Sequence, residues 1–154
     1  MSRPPRIDGF SYLGRSCYSI TTCTAQRRQV FRDPSLVELV LSYLRETATR
    51  ERFAVLAYCF MPDHLHVVVV GLTASADLRR FMTLVKQRAG FVVAKRYGIK
   101  LWQEGYHDHV LRRDRSLARL VQYVLENPIR AGLAETVESY PFSGWDPEKI
   151  ASIL

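Results

Sequence analysis

Long apolar runs, cysteines and an apolar N-terminal segment are the features that this sequence has least of. No hydrophobic run approaches the roughly 18 residues that a membrane span needs, so we expect no membrane segment. Residues 1–6 are followed by no apolar stretch, which argues against a secretory signal. The three cysteines form an odd and sparse set, typical of reduced thiols rather than of a disulfide framework. We therefore expect a cytoplasmic protein.

Size and composition favour one compact domain. The chain has 154 residues, of which 47% are hydrophobic and 24% charged. A chain of this size can bury a core without disulfides or metal, and this composition is not that of a disordered protein. We predict a single domain over residues 1–154, with a loose leader at 1–14 and a tail without assigned elements at 133–154.

Acidic residues are scarce between positions 79 and 130. That segment holds twelve Lys and Arg residues against four Asp and Glu residues, a net charge of +8, whereas the whole chain carries +7. A basic half beside a near-neutral remainder is typical of proteins that bind a polyanion, most simply nucleic acid. A solvated basic face without a partner is the alternative.

Hydrophobic periodicity predicts seven elements in the order β-α-β-β-α-β-α. The second and third strands should pair as an antiparallel hairpin, because only turn residues separate them. The predicted strands lie at 15–24, 53–60, 64–70 and 107–112, and the predicted helices at 33–50, 75–97 and 116–127. This order is typical of an α+β ferredoxin-like sandwich, here with a helix added after the last strand.

His64 and His66 stand two residues apart in the third predicted strand. Residues at this spacing lie on one face, about 6.6 Å apart along the strand, so the two imidazoles can chelate one metal ion. Magnesium or manganese would add oxygen ligands and a substrate phosphate. Zinc would need further ligands, for which His107 and His109 are available. Two partly buried structural histidines are the alternative to both.

Tyr123 lies off the apolar stripe of the last predicted helix. At about 100° per residue it is roughly 130° from the centre of that stripe, so it is not an obvious core residue. Arg119 and Asn127 lie four residues before and after it and share its ridge. The amide offers an oxygen ligand and the guanidinium can bind a phosphate. The alternative is a surface tyrosine packed on a loop.

Three segments together resemble a known family. Residues 61–66, followed by four valines, resemble the His-hydrophobic-His motif of the HUH single-tyrosine transposases. Residues 121–133 resemble the nucleophile helix of one branch, the REP-associated tyrosine transposases, which act on short palindromic repeats. Residues 101–112 and 141–145 resemble the segments before and after that helix. The likeness extends from about Arg15 to Trp145.

The resemblance implies a fold, a reaction and a set of site residues. By this likeness, His64, His66 and Asn127 hold a divalent metal, Mg²⁺ or Mn²⁺, and Tyr123 is the nucleophile. The substrate would be single-stranded or hairpin DNA, cut through a covalent 5′-phosphotyrosine. We also expect association with the nucleoid and either a monomer or a homodimer.

Candidate DNA contacts are the cations that flank the predicted site in the sequence, namely Arg79, Arg80, Lys86, Arg112, Arg113 and Arg119. Two other functions are also consistent with these residues. One is a non-catalytic ferredoxin-like nucleic-acid-binding domain with structural histidines. The other is a zinc hydrolase that uses His64, His66, His107 and His109. An enzyme of the transposase type requires the His-x-His face to lie within reach of Tyr123.

Overall fold

The computed structural model describes residues 11–112 and 116–153. Two short 3-10 turns, at Ala25–Arg27 and Val30–Arg32, connect the first strand to the first helix. The strands are β1 (Cys17–Cys23), β2 (Phe53–Met61), β3 (His64–Gly71), β4 (His107–Val110) and β5 (Ser143–Trp145). The helices are α1 (Pro34–Glu51), α2 (Leu78–Tyr97), α3 (Leu117–Leu125), α4 (Asn127–Arg130) and α5 (Pro147–Ile153).

The strands form one antiparallel sheet in the order β4-β1-β3-β2-β5. Its first four positions have the strand order of a ferredoxin-like sandwich, and β2 and β3 form the predicted hairpin. The α+β fold class that the sequence predicts is therefore confirmed, with a fifth strand added at the edge of β2.

Side-chain alternation gives the sheet two different faces. Leu65, Val67 and Val69 point to the face covered by α1 and α2. Val68 and Val70 point to the opposite face, which α3 and α5 cover. The valine run of β3 is thus buried on both sides, which explains why it reads as continuous rather than alternating hydrophobicity. His64 and His66 have the parity of Val68 and therefore lie on the α3 face.

Side-chain caps begin the three long helices. Asp33 accepts a hydrogen bond from the Ser35 amide and precedes Pro34, as the sequence predicts for α1. Ser116 caps α3. The predicted start of α2 at residue 75 is wrong, because the side chain of Asp77 accepts from the Arg80 amide and fixes the first turn at Leu78. None of the helices in the described parts of the chain is both long and apolar enough to cross a membrane.

The end of α3 also differs from the prediction. Instead of continuing to Asn127, the helix ends at Leu125, and a separate short helix, α4, contains Pro128 in its first turn. The physical reason is that Pro128 has no N–H to donate to the Val124 carbonyl oxygen, which accepts from the Asn127 side chain instead, whereas proline suits the first turn of a new helix. The break turns Asn127 and Arg130 back toward α3.

Both ends of the described chain are more ordered than predicted. Residues 11–14 depart from the expected loose leader, because Tyr12 is buried and Leu13 pairs with Asp77. The rest of that predicted leader, residues 1–10, lies outside the described residues. The tail forms β5 and α5, with the Tyr140 hydroxyl donating to the Phe60 carbonyl oxygen and Ile150 buried. These contacts complete the core on the α3 face.

Candidate active site

His64 and His66 form a close pair on the α3 face of the sheet. Their ring centroids are 4.7 Å apart and their planes are nearly perpendicular, at 86°. Leu65 between them is buried on the other face. The pairing predicted from strand alternation is therefore present.

A hydrogen bond at Nδ1 orients each ring. His64 Nδ1 lies 2.6 Å from Asp63 Oδ1, and His66 Nδ1 lies 2.9 Å from Thr21 Oγ1 on the neighbouring strand. Bonds of this kind fix the tautomer and orientation of histidines that bind metals. They leave Nε2 of each ring as the nitrogen available to a ligand.

The environment keeps His66 neutral. Burial, together with the charges of His64 and Arg130, lowers the pKa of His66 to about 4. Burial alone would raise the pKa of Asp63, but hydrogen bonds from Arg27 and His64 lower it on balance. At neutral pH the pair thus offers a neutral imidazole, the form that binds metal, beside an ionised carboxylate.

Tyr123 projects from α3 into solvent. Its side chain is 61% exposed, whereas Leu117, Val121 and Val124 on the same helix are buried. The prediction that Tyr123 is not a core residue is confirmed. It lines an open cleft of about 710 Å³, together with Ser19, His109, Val110, Leu111, Arg112, Ser116, Arg119 and Leu120. We call this the Tyr123 cleft.

Arg130 connects Tyr123 to Asn127. Its guanidinium carbon lies 4.0 Å from the centroid of the Tyr123 ring. The same group donates to the Tyr123 carbonyl oxygen at 2.6 Å and to Asn127 Oδ1 at 3.0 Å. Its charge also acts on His66. Arg130 was not among the residues predicted for the site, because its contact with Tyr123 depends on the break between α3 and α4 and not on helical spacing.

Asn127 is held at both ends of its amide. Nδ2 donates to the Val124 carbonyl oxygen at 3.0 Å, and Oδ1 accepts from Arg130. An amide oxygen has two lone pairs, so one stays available for a metal ion. Between the described residues, no hydrogen bond or ring contact joins Tyr123 directly to His64 or His66. Arg130 contacts both the tyrosine and the amide, and its charge lowers the pKa of His66.

His64 and His66 supply two imidazole nitrogens on this face of β3, and Asn127 on α4 supplies one amide oxygen as a further ligand type. His107 and His109 lie on the same sheet face, but they pair with Thr21 and Ser19 of β1, which separates them from β3. Within the described ranges no group of three or more His, Cys, Asp or Glu side chains could share a metal. The four-histidine zinc site is therefore wrong.

The predicted DNA-contacting cations do not lie together. Arg112 and Arg119 line the Tyr123 cleft. By contrast, α2 places Arg79 and Arg80 on the opposite side of the sheet, where Arg79 lies over the Tyr12 ring and Arg80 bonds to Glu51. Arg113 lies outside the described residues.

Lys86, another of the predicted contacts, has a role within the fold. Its ammonium donates to the carbonyl oxygens of Gln103 and Gly105, which ties the loop before β4 to α2. Arg79, Arg80 and Lys86 therefore do not line the Tyr123 cleft, and their predicted contact with DNA stays untested. Nearness in sequence to a site does not place a residue on the same face of a sheet.

Comparison with known proteins identifies the family to which this chain belongs. Residues 14–127 match the family model described as "Transposase IS200 like", and the chain belongs to this family of single-tyrosine transposases, which are enzymes. The resemblance found in the sequence is therefore confirmed.

Two curated relatives belong to the REP-associated branch. A candidate REP-associated tyrosine transposase of Haemophilus influenzae is 23% identical over 123 residues, which cover 73% of this chain and 70% of the relative. A REP-associated tyrosine transposase of Escherichia coli K12 is 24% identical over 92 residues, which cover 59% of this chain and 53% of that protein.

Solved structures share the fold. A REP-associated tyrosine transposase bound to a REP hairpin aligns with a TM-score of 0.75 at 19% identity, covering 93% of this chain and 82% of the other. A candidate transposase of Deinococcus radiodurans aligns with a TM-score of 0.56 at 21% identity, covering 79% and 95% of the two chains.

Proposed function

We propose that this protein is a metal-dependent DNA nickase and strand transferase that acts on hairpin-forming repeats through a covalent bond to Tyr123. The observation that carries the proposal is the exposed Tyr123 on the helix that covers the His64–His66 face of the sheet. A tyrosine serving only the core would be buried, and a pure binding surface has no need of two imidazoles with oriented Nδ1 atoms.

The substrate class is supported by charge and by relatives. Arg112 and Arg119 line the Tyr123 cleft and can bind phosphates, which supply most of the affinity for nucleic acids. A structural relative was solved bound to a REP hairpin, and the curated relatives are described as REP-associated. We infer a single strand carrying a folded-back hairpin as the substrate of this chain, and thus association with the nucleoid.

His64, His66 and Asn127 would hold the divalent ion. When bound, Mg²⁺ or Mn²⁺ polarises the scissile phosphate and stabilises charge on its oxygens. Asp63 and Thr21 hold the two imidazoles in place through Nδ1. Arg130 holds the amide of Asn127 and the backbone of Tyr123 in one cluster. These contacts would hold the ligand side chains, and the backbone that carries the nucleophile, before the substrate arrives.

The covalent step is a phosphoryl transfer. Tyr123 Oη attacks phosphorus, and a new Oη–P bond forms while the bond from phosphorus to the 3′ oxygen breaks. The hydroxyl proton ends on the departing 3′ oxygen, giving a free 3′-OH and a 5′-phosphotyrosine. Because the phosphotyrosine conserves the bond energy, rejoining needs no nucleotide cofactor.

The Tyr123→Phe variant tests the proposal. The substitution removes one exposed oxygen and leaves the packing of α3 intact, so folding and hairpin binding should persist. Incubation with labelled hairpin DNA and Mn²⁺, followed by a denaturing gel, should show a protein–DNA adduct for the wild type only. An adduct with the Phe variant would place the nucleophile elsewhere, and Tyr106 or Tyr97 would be examined next. Binding without an adduct in the wild type would favour the non-catalytic domain.

A further inference from the structure

The turn after β1 contains two unusual backbone conformations. Gln26 and Arg27 have φ values of 55° and 52°, in the left-handed region that residues with a Cβ atom rarely adopt. Such conformations persist only where the surroundings fix them, and they are frequent next to functional sites. The contacts of this turn therefore indicate which functional site it supports.

This turn is fastened to the turn that precedes the histidine pair. Thr24 is fully buried, and its amide and hydroxyl each lie 3.0 Å from the Asp63 carbonyl oxygen. The Phe31 amide donates to the Pro62 carbonyl oxygen at 3.0 Å. The segment after β1 thus lies along the β2–β3 turn and presents the Arg27 side chain to Asp63.

The side chains then form a chain of contacts that ends at the candidate metal site. Arg27 Nε donates to Asp63 Oδ2 at 3.0 Å, while the other oxygen, Oδ1, binds His64 Nδ1 at 2.6 Å. Arg27 Nη1 also lies 3.5 Å from Cys23 Sγ, which restrains the guanidinium. The side chains of Asp63 and His64 are 24% and 18% exposed, so their mutual bond is sheltered from water, whereas the Arg27 side chain is 51% exposed.

We propose that Arg27 is a positioning residue, which fixes the Asp63 carboxylate so that Asp63 holds His64 in the orientation and tautomer that bind the divalent ion. The proposal rests on the proposed function. A carboxylate bound through one oxygen can rotate about its side-chain bonds. Binding at both oxygens, from opposite sides, removes that freedom and passes the constraint to the imidazole. The left-handed backbone conformations of Gln26 and Arg27 bring the guanidinium within hydrogen-bond distance of Asp63.

Metal affinity in the absence of DNA tests this role. Arg27→Ala and Asp63→Asn should each weaken Mn²⁺ binding, measured by isothermal titration calorimetry, by roughly 10-fold or more, the range for outer partners of metal ligands. The double variant should be no weaker than Asp63→Asn alone, because Arg27 acts through Asp63. Arg28→Ala is the matched control, since its guanidinium bonds only to the neighbouring Gln26 among the described residues.

Arg27→Gly separates positioning from folding. Glycine suits a positive φ and removes the guanidinium, so the thermal unfolding midpoint should be kept while Mn²⁺ affinity falls. Arg27→Lys should restore part of the affinity. Wild-type Mn²⁺ affinity in Arg27→Gly and Arg27→Ala would overturn the proposal, as would losses that multiply in the double variant. A fall in hairpin affinity measured in EDTA, with Mn²⁺ affinity unchanged, would make Arg27 a phosphate contact instead.

A measurement on the metal-free protein distinguishes the positioning role of Arg27 from the proposed function. Nitrogen NMR of His64 should show the tautomer protonated at Nδ1 in the wild type and a mixture of tautomers in Arg27→Gly. If the wild type bound no Mn²⁺ through His64 but the tautomer still changed, the metal mechanism would fail while the positioning role stood. An unchanged tautomer would overturn the positioning role whatever the metal result.

Discussion

Arg130 covers the ring of Tyr123 at 4.0 Å and donates to Asn127 Oδ1 at 3.0 Å with the same guanidinium. One cation therefore holds both the candidate nucleophile and the candidate amide ligand. A guanidinium over an aromatic ring is attracted by the π-electrons, and its Nη2 carries two N–H donors, one for each oxygen. A lysine at this position would lack the planar group that lies over the ring.

We predict that Arg130→Ala and Arg130→Lys both slow adduct formation, by roughly 10- to 100-fold for alanine. Asn127 and Tyr123 would lose their common partner, whereas the sheet that carries the histidines is untouched. The rate is measured with labelled hairpin DNA under single-turnover conditions. Arg50→Ala is the control, because Arg50 pairs with Glu46 on α1, on the other side of the sheet. Equal rates of adduct formation in Arg130→Ala and Arg50→Ala would contradict this role of Arg130.

Stability should fall at acid pH through His66. The pKa of His66 is about 4 in the folded protein, below its ordinary value near 6.5, so the unfolded chain binds the proton more readily. The free energy of unfolding should therefore decrease by about 2–3 kcal/mol between pH 7 and 4.5 from this residue. Urea unfolding at both pH values measures it. His66→Gln should lose that part of the dependence, and an identical pH slope in the two proteins would contradict the assignment.

Metal removal should stop cleavage and spare binding. EDTA, His64→Ala and His66→Ala should each abolish adduct formation, because the two imidazoles hold the ion, while hairpin affinity depends mainly on phosphate contacts. Mg²⁺ or Mn²⁺ should restore the chelated wild type only. His107→Ala is the matched control, since β1 lies between that histidine and the pair. Full activity after thorough chelation would exclude this role for the metal.

The salt dependence of DNA binding should identify the bound face. Arg112→Ala and Arg119→Ala should each lower the slope of log affinity against log salt by up to about one, because each removes a phosphate contact in the Tyr123 cleft. Arg80→Ala should leave the slope unchanged, since Arg80 bonds to Glu51 on the far side of the sheet. Fluorescence anisotropy at several salt concentrations gives the slopes. The opposite pattern would move the DNA to the α2 face.

The parts of this structure that could be predicted from sequence are those set by local rules. Alternation placed His64 and His66 on one face with Leu65 on the other, and helical periodicity left Tyr123 outside the core. Asp33 and Ser116 were predicted as caps because their type and position suffice. The metal and nucleophile roles came from family resemblance, and they stay predictions.

What could not be predicted depends on contacts between distant segments. Ser143–Trp145 is too short to show the alternation typical of a strand. It forms a strand only because it pairs with β2. The contact of Arg130 with Tyr123 depends on the break at Glu126, and the bond of Arg27 to Asp63 spans 36 positions. Arg80 was expected near the site, but helix α2 carries it to the other face. Sequence spacing contains no information on these distances.

Covalent attachment of DNA to Tyr123 can be measured on a single tryptic peptide. Trypsin cleaves after Arg119 and Arg130, which releases residues 120–130 with Tyr123 as their only tyrosine. After reaction with hairpin DNA and Mn²⁺ and digestion with nuclease and trypsin, mass spectrometry should find this peptide carrying a 5′-linked nucleotide on Tyr123. Nucleotide mass on a different tyrosine would move the nucleophile to that residue, and none on any peptide although the DNA is cut would exclude a covalent tyrosine intermediate.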